Sequence, residues 1–193
     1  MYDPVADSEK GEQESLAPRI KSLEGKRIGL FNNGKLAATP LLEVVQERLK
    51  DEYPDATIEH YEVEHLNRIK NEDELSSIRQ WADEEVDACF GAIGDCGSCT
   101  KFLVYGVNAI EEGGTPAVGL IDEGFELDWK TNARDFGRKL RFHPLSRVAE
   151  VTDKERLREQ LTADALEEIV AELTRPRTDE ERNGEEIVAN GEK

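Results

Sequence analysis

Val86-Asp87-Ala88-Cys89-Phe90-Gly91-Ala92-Ile93-Gly94-Asp95-Cys96-Gly97-Ser98-Cys99-Thr100 is the stretch that decides the fold. Val86 to Ile93 is nearly all apolar, as befits a strand covered on both faces at the centre of a parallel sheet. The run stops at Gly94-Asp95, and Thr100 to Glu112 reads as a helix that Gly113-Gly114 ends. A buried strand, a short turn and a helix make the first half of a βαβ unit.

The same alternation continues outward. Lys26 to Phe31 is a short strand that breaks at Asn32-Asn33-Gly34. Thr39-Pro40 is expected to open a helix, with Thr39 as cap and the stripe Leu41, Val45, Leu49. Ala56 to Val63 alternates as a strand near a sheet edge does, and Asn71 with Glu74 forms a capping box for a second helix. Pro116 to Ile121 is a fourth buried strand, and Asp128 to Phe136 a short helix. Leu140 to Leu145 is a fifth strand or extended segment, interrupted by Pro144. Thr152 and Glu155 cap a last long helix with the stripe Leu157, Leu161, Ala165, Ile169, Leu173.

The pattern predicts an α/β fold: a three-layer sandwich on a mainly parallel sheet of about five strands, flavodoxin- or Rossmann-like. One domain is expected over residues 25–175. Residues 1–24 read as an extended polar arm and 176–193 as a disordered acidic tail. On that reading, deleting everything after Arg175 leaves the melting temperature nearly unchanged.

Composition sets the surroundings. Asp plus Glu number 43 against 25 Lys plus Arg, a formal charge of -18. Such a surface repels phosphate backbones and anionic lipid, so neither nucleic acid nor membrane is an expected partner. The acidity is dispersed along the chain, which strong screening in a salt-loaded cytoplasm tolerates, and it points to a halophilic, haloarchaeal source. No apolar run reaches the roughly 20 residues of a membrane helix, and the start lacks a signal peptide's regions. A cytoplasmic location follows. There a close cysteine pair is catalytic or metal-binding more often than structural.

In parallel sheets ligands bind outside the carboxyl ends of the strands. The first strand delivers Asn32, Asn33 and Gly34 to that edge, the third Asp95, Cys96, Ser98 and Cys99, the fourth Asp122 and Glu123, and the fifth His143. A helix N-terminus, with free N–H groups and a partial positive charge, stabilises a thiolate. Cys96 stands just before the helix and Cys99 in its first turn, so one thiol can attack and the other resolve. Asp95 opposes thiolate formation unless it acts as a base or points away. Cys89, inside the strand, reads as core. The metal alternative is zinc on Cys96, Cys99 and His143. With no second Cys-x-x-Cys and no His-x-His, no metal is expected. His60 and His65 read as surface residues.

The run Gly94-Asp95-Cys96-Gly97-Ser98-Cys99-Thr100 resembles the signature of the UGSC family of selenoproteins and their cysteine homologues. The resemblance extends to Asn33-Gly34-Lys35, to His143-Pro144-Leu145 and to Asp3-Pro4. It puts Cys96 at the selenocysteine position, with Asn32 where family members carry aspartate, and implies redox-active sulfur chemistry at Cys96.

Together these readings give a thiol-dependent oxidoreductase of the reductase kind acting on a small molecule. Cys96 attacks and Cys99 resolves. His143 and Asp95 are acid/base candidates, and Asn32, Asn33, Lys35, Ser98 and Thr100 are candidates for substrate contact. The electron donor is a thiol or a redox protein, no bound cofactor is expected, and a homo-oligomer is compatible with the sequence. The alternatives are a cysteine-dependent racemase, lyase or hydrolase, and a redox-sensing or metal-binding module.

The charge makes its own prediction. Compaction brings like charges together, and the Debye length falls from about 10 Å at 0.1 M salt to about 3 Å at 1 M. The melting temperature should therefore rise steeply between low and molar potassium chloride. A flat curve over that range would remove the halophile reading.

Overall fold

The computed structural model describes residues 14–182. Five strands form one parallel sheet: β1 (Arg27–Asn32), β2 (Thr57–Glu62), β3 (Ala88–Gly94), β4 (Ala117–Asp122) and β5 (Phe142–Leu145), in the order β2-β1-β3-β4-β5. This is the flavodoxin-like order, whose topological switch point lies between β1 and β3.

Side chains alternate across the sheet, as a period of two requires. Ile28, Leu30, Phe90, Ala92, Val118 and Leu120 face α1 (Ala38–Glu52), α5 (Lys154–Gln160) and α6 (Ala163–Thr174). Phe31, Cys89, Ala117 and Ile121 face α2 (Glu72–Glu85), α3 (Gly97–Glu112) and α4 (Glu126–Ala133). The result is a three-layer sandwich with β3, every residue of it buried, at the centre. β2 forms one edge of the sheet and is only partly covered. No helix among the described residues is long and apolar enough to cross a membrane.

Several local expectations change. The first helix begins at Ala38, ahead of Thr39, because the Thr39 hydroxyl accepts instead from Asn32 Nδ2 at 3.0 Å. Asn71 precedes α2 without a side-chain capping bond. The last helix is two helices: Asp153, not Thr152, caps α5, and Thr162 Oγ1 accepts from Ala165 N to start α6. The stripe from Leu157 to Leu173 remains buried across the break, apart from Ala165.

Both terminal readings need correction. From Glu14 onward the arm is packed, with Leu16 1% and Leu23 0% exposed. Arg19 donates to both oxygens of buried Glu111, which also accepts from Ala17 N and Ala117 N. At the other end, α7 (Asp179–Arg182) docks through Glu181, whose two carboxylate oxygens take a fork from buried Arg141 at 2.8 Å each. Arg141 also donates to the carbonyls of Glu172, Arg175 and Pro176. Polar composition concealed this, because the buried atoms are charged and paired. The arm's residues 1–13 and the tail's residues 183–193 lie outside the described residues.

Deleting everything after Arg175 should therefore strand a buried guanidinium, at a cost of about 3 kcal/mol or more. That corresponds to a fall in melting temperature on the order of 10 °C. Burial opposes ionisation of Glu181, but the bonds from Arg141 and Thr178 N–H hold its carboxyl down at about 2. Its contribution is complete above the ordinary carboxylate range and is lost as pH falls toward 2. The gap in melting temperature between wild type and Glu181→Gln should close over that acid window, which thermal scans at stepped pH would read.

Candidate functional site

The carboxyl end of β3 is shaped by Asn33. Its side-chain amide is fully buried, accepts from Ile93 N at 3.2 Å and donates to Ile93 O at 2.9 Å and Cys99 O at 3.4 Å. Here the β3–β4 register shifts between Ala92 and Gly94, and the Ala92–Ile93 peptide is cis. A Cβ on Gly94 would lie 2.7 Å from Ile121 Cγ2 and 2.9 Å from Thr100 Oγ1, so only glycine lets the turn pass beneath α3.

Cys96 caps α3. Its Sγ accepts from Cys99 N at 3.1 Å and lies 3.4 Å from Ser98 Oγ, while Thr100 Oγ1 donates to the Cys96 carbonyl at 2.8 Å. Cys96 and Cys99 form a disulfide. The two sulfurs are unequal: Cys99 is 1% exposed, whereas Cys96 is partly open and flanked by exposed Gly97 and Ser98. Asp128, in the first turn of α4, stands over Gly97, its Oδ1 3.8 Å from where a Cβ there would sit.

Asp95 is buried beneath the pair. A carboxylate oxygen of Asp95 and both sulfurs lie within 4.8 Å of one another. Oδ2 accepts from Glu150 N at 3.1 Å. Oδ1 has no hydrogen-bond donor among the described residues, and Lys35 Nζ is 3.7 Å away. With the disulfide opened, Asp95, Cys96 and Cys99 are the grouping here that could hold a metal ion.

The remaining candidates divide. Ser98 lies against Cys96 Sγ, and Lys35 reaches Asp95 beneath the pair. Asn32 is bonded elsewhere: its Oδ1 accepts from Gly34 N, and its Nδ2 donates to Thr39 and Glu62. Asn33 and Thr100 are likewise spent on the backbone they hold, which corrects their reading as substrate contacts to one of positioning. His143 is also displaced. It pairs in register with Leu120 on the α6 face, its Nε2 3.9 Å from Glu168, whereas α3 lies on the opposite face. Burial pulls its imidazole below the usual range against the pull of Glu168 and Glu172. The structure places it on the α6 face and not among the groups beside the cysteines. Cys89 is core, and burial drives its thiol well up.

The loop from Ser146 to Asp153 closes over this edge and escaped the sequence reading. Asp122 Oδ2, at the end of β4, accepts from Val148 N and Ala149 N, as Asp95 does from Glu150 N. The only signal was the aspartate at the end of each of two neighbouring strands.

No curated protein and no solved structure is significantly similar to the chain. The UGSC family model matches residues 1–175, which takes in the whole Gly94–Thr100 turn together with the Asn33 clamp and Lys35. A match over so much of the sequence shows that the chain belongs to the UGSC family.

Proposed function

We propose that the chain is a thiol-dependent oxidoreductase that reduces a small molecule through Cys96 and Cys99. The observation that carries this reading is the disulfide at the start of α3, with one sulfur accessible and the other buried. In the reduced form the Cys96 thiolate sits where Cys99 N–H and the helix dipole favour negative charge. It attacks the electrophilic atom of a substrate X–Y. An S–X bond forms, and Y leaves with the bonding pair and takes a proton. Cys99 then attacks Cys96 Sγ, the disulfide closes, and X leaves with its pair.

The Cys99 proton needs a route, because this sulfur has almost no contact with solvent. Asp95, near both sulfurs and with one oxygen unoccupied, takes that proton and passes it to X. Lys35 balances the carboxylate while it is charged. The net change is two thiols oxidised to one disulfide and X–Y reduced to XH and YH. An external thiol or redox protein returns the two electrons in a reducing cytoplasm.

After reduction, iodoacetamide should label Cys96 and spare Cys89 at neutral pH, as peptide mass mapping would read. Cys96→Ser should abolish turnover. Cys99→Ser should trap a covalent adduct on Cys96. In Asp95→Asn, which can still accept from Glu150 N–H, closure of the disulfide should slow on the order of 100-fold. Loss of turnover in Cys99→Ser with full activity in Cys96→Ser would reverse the roles.

A further inference from the structure

The 146–153 loop holds two backbone outliers. Arg147 at φ 54° and Glu150 at φ 57° are the non-glycine residues with left-handed backbone among those described. Such conformations cost on the order of 1–3 kcal/mol each and persist only where the surroundings impose them. Here Asp122 and Asp95 impose them, through three backbone N–H groups. Together with the start of α5, the loop walls an open cavity of about 410 Å³.

Arg147 and Arg156 both border this cavity, and both are exposed. Neither side chain has an ion pair or hydrogen bond among the described residues. Most other guanidinium groups among the described residues find carboxylates, as Arg27, Arg68, Arg79, Arg138 and Arg158 do, although Arg48 donates only to a carbonyl and Arg134 is unpaired there too. Two acids border the cavity as well. Asp153 is committed to capping α5, accepting from Glu155 N and Arg156 N, which leaves Glu150. The net field is therefore weak, and recognition rests on the forked donors of the two arginines. The cavity is linked to the cysteines through Asp95: Glu150, on its wall, donates its N–H to Asp95, a carboxylate oxygen of which lies within 4.8 Å of both sulfurs.

We propose that this cavity binds the anionic group, carboxylate or phosphate, of the small molecule that Cys96 reduces, with Arg147 and Arg156 as its ligands. The proposal rests on the thiol reading and names the substrate class for it. The strained loop carries Arg147 and is tied to the thiol end of β3 through Asp95, while Arg156, on α5, borders the same cavity.

Iodoacetate and iodoacetamide, nearly the same size and differing in charge, supply the test. The reduced protein is alkylated with each, and the rate at Cys96 is compared between wild type and the double variant Arg147→Gln/Arg156→Gln. The iodoacetate rate should fall about 10-fold, the worth of one charge-assisted hydrogen bond, while the iodoacetamide rate stays within about twofold. Inorganic phosphate and acetate, each added at constant ionic strength, should protect wild-type Cys96 from iodoacetate, and the stronger protector tells phosphate from carboxylate. As a readout free of thiol chemistry, the better of the two should raise the melting temperature of the oxidised wild type but not of the double variant. Equal loss with both reagents, or no loss with iodoacetate together with no anion-dependent melting shift, overturns the proposal. An inert Cys96 toward iodoacetamide, with the melting shift intact, removes the thiol reading and leaves an anion site.

Discussion

The arrangement at the sheet edge depends on one side-chain amide. Asn33 reaches from the end of β1 to the backbone of Ile93 and satisfies its N–H and C=O together, then touches the Cys99 carbonyl. At this point β3 slips against β4, so neither ladder alone can fix the chain's direction. An unpaired backbone group buried here would cost about 1–3 kcal/mol. Asn33 removes that cost in a single geometry, which sends the chain through Gly94 and leaves Cys96 as the cap of α3. The switch point between β1 and β3 is thus tied across the gap where the two halves of the sheet diverge.

Buried charge does the same work elsewhere, always in pairs or with several donors. Glu111 gathers Arg19 and two backbone N–H groups, fastening the segment before β1 to the base of β4. Arg141 gathers Glu181 and three carbonyls, fastening α7 beside β5. Asp122 and Asp95 fasten the loop after β5. These links are costly to break singly, since each partner is left charged in a dry place. A chain with modest apolar content can hold its outer segments this way.

That explains what the sequence could reveal. β3 and β4 were legible because a doubly covered strand has to be apolar, and α3 because Gly94 and Gly113 bracket it. Cys96 and Cys99 were legible because their spacing and their place before a helix coincide. Asn32, Asn33 and Thr100 were read as polar groups awaiting a ligand, since a sequence gives residue type but not the partner already found. His143 was misplaced because residues on one strand alternate between faces, and the edge alone does not tell which face. The 146–153 loop was hidden altogether: its shape comes from two left-handed residues, neither of them glycine, held by carboxylates more than twenty residues away.

The inequality of the two sulfurs follows from the same construction. Asn33 and Thr100 hold the first turn of α3 down against the sheet, which buries Cys99 in the helix and leaves Cys96 at its mouth. A nucleophile from solvent can reach only the outer sulfur. In the proposed chemistry the inner sulfur has the helix N-terminus beside it but almost no water, and Asp95 would take its proton when it attacks and return one when it is displaced. In that chemistry the order of exchange, outer sulfur first and inner sulfur second, then follows from packing. That order does not require the two thiols to differ in intrinsic chemistry.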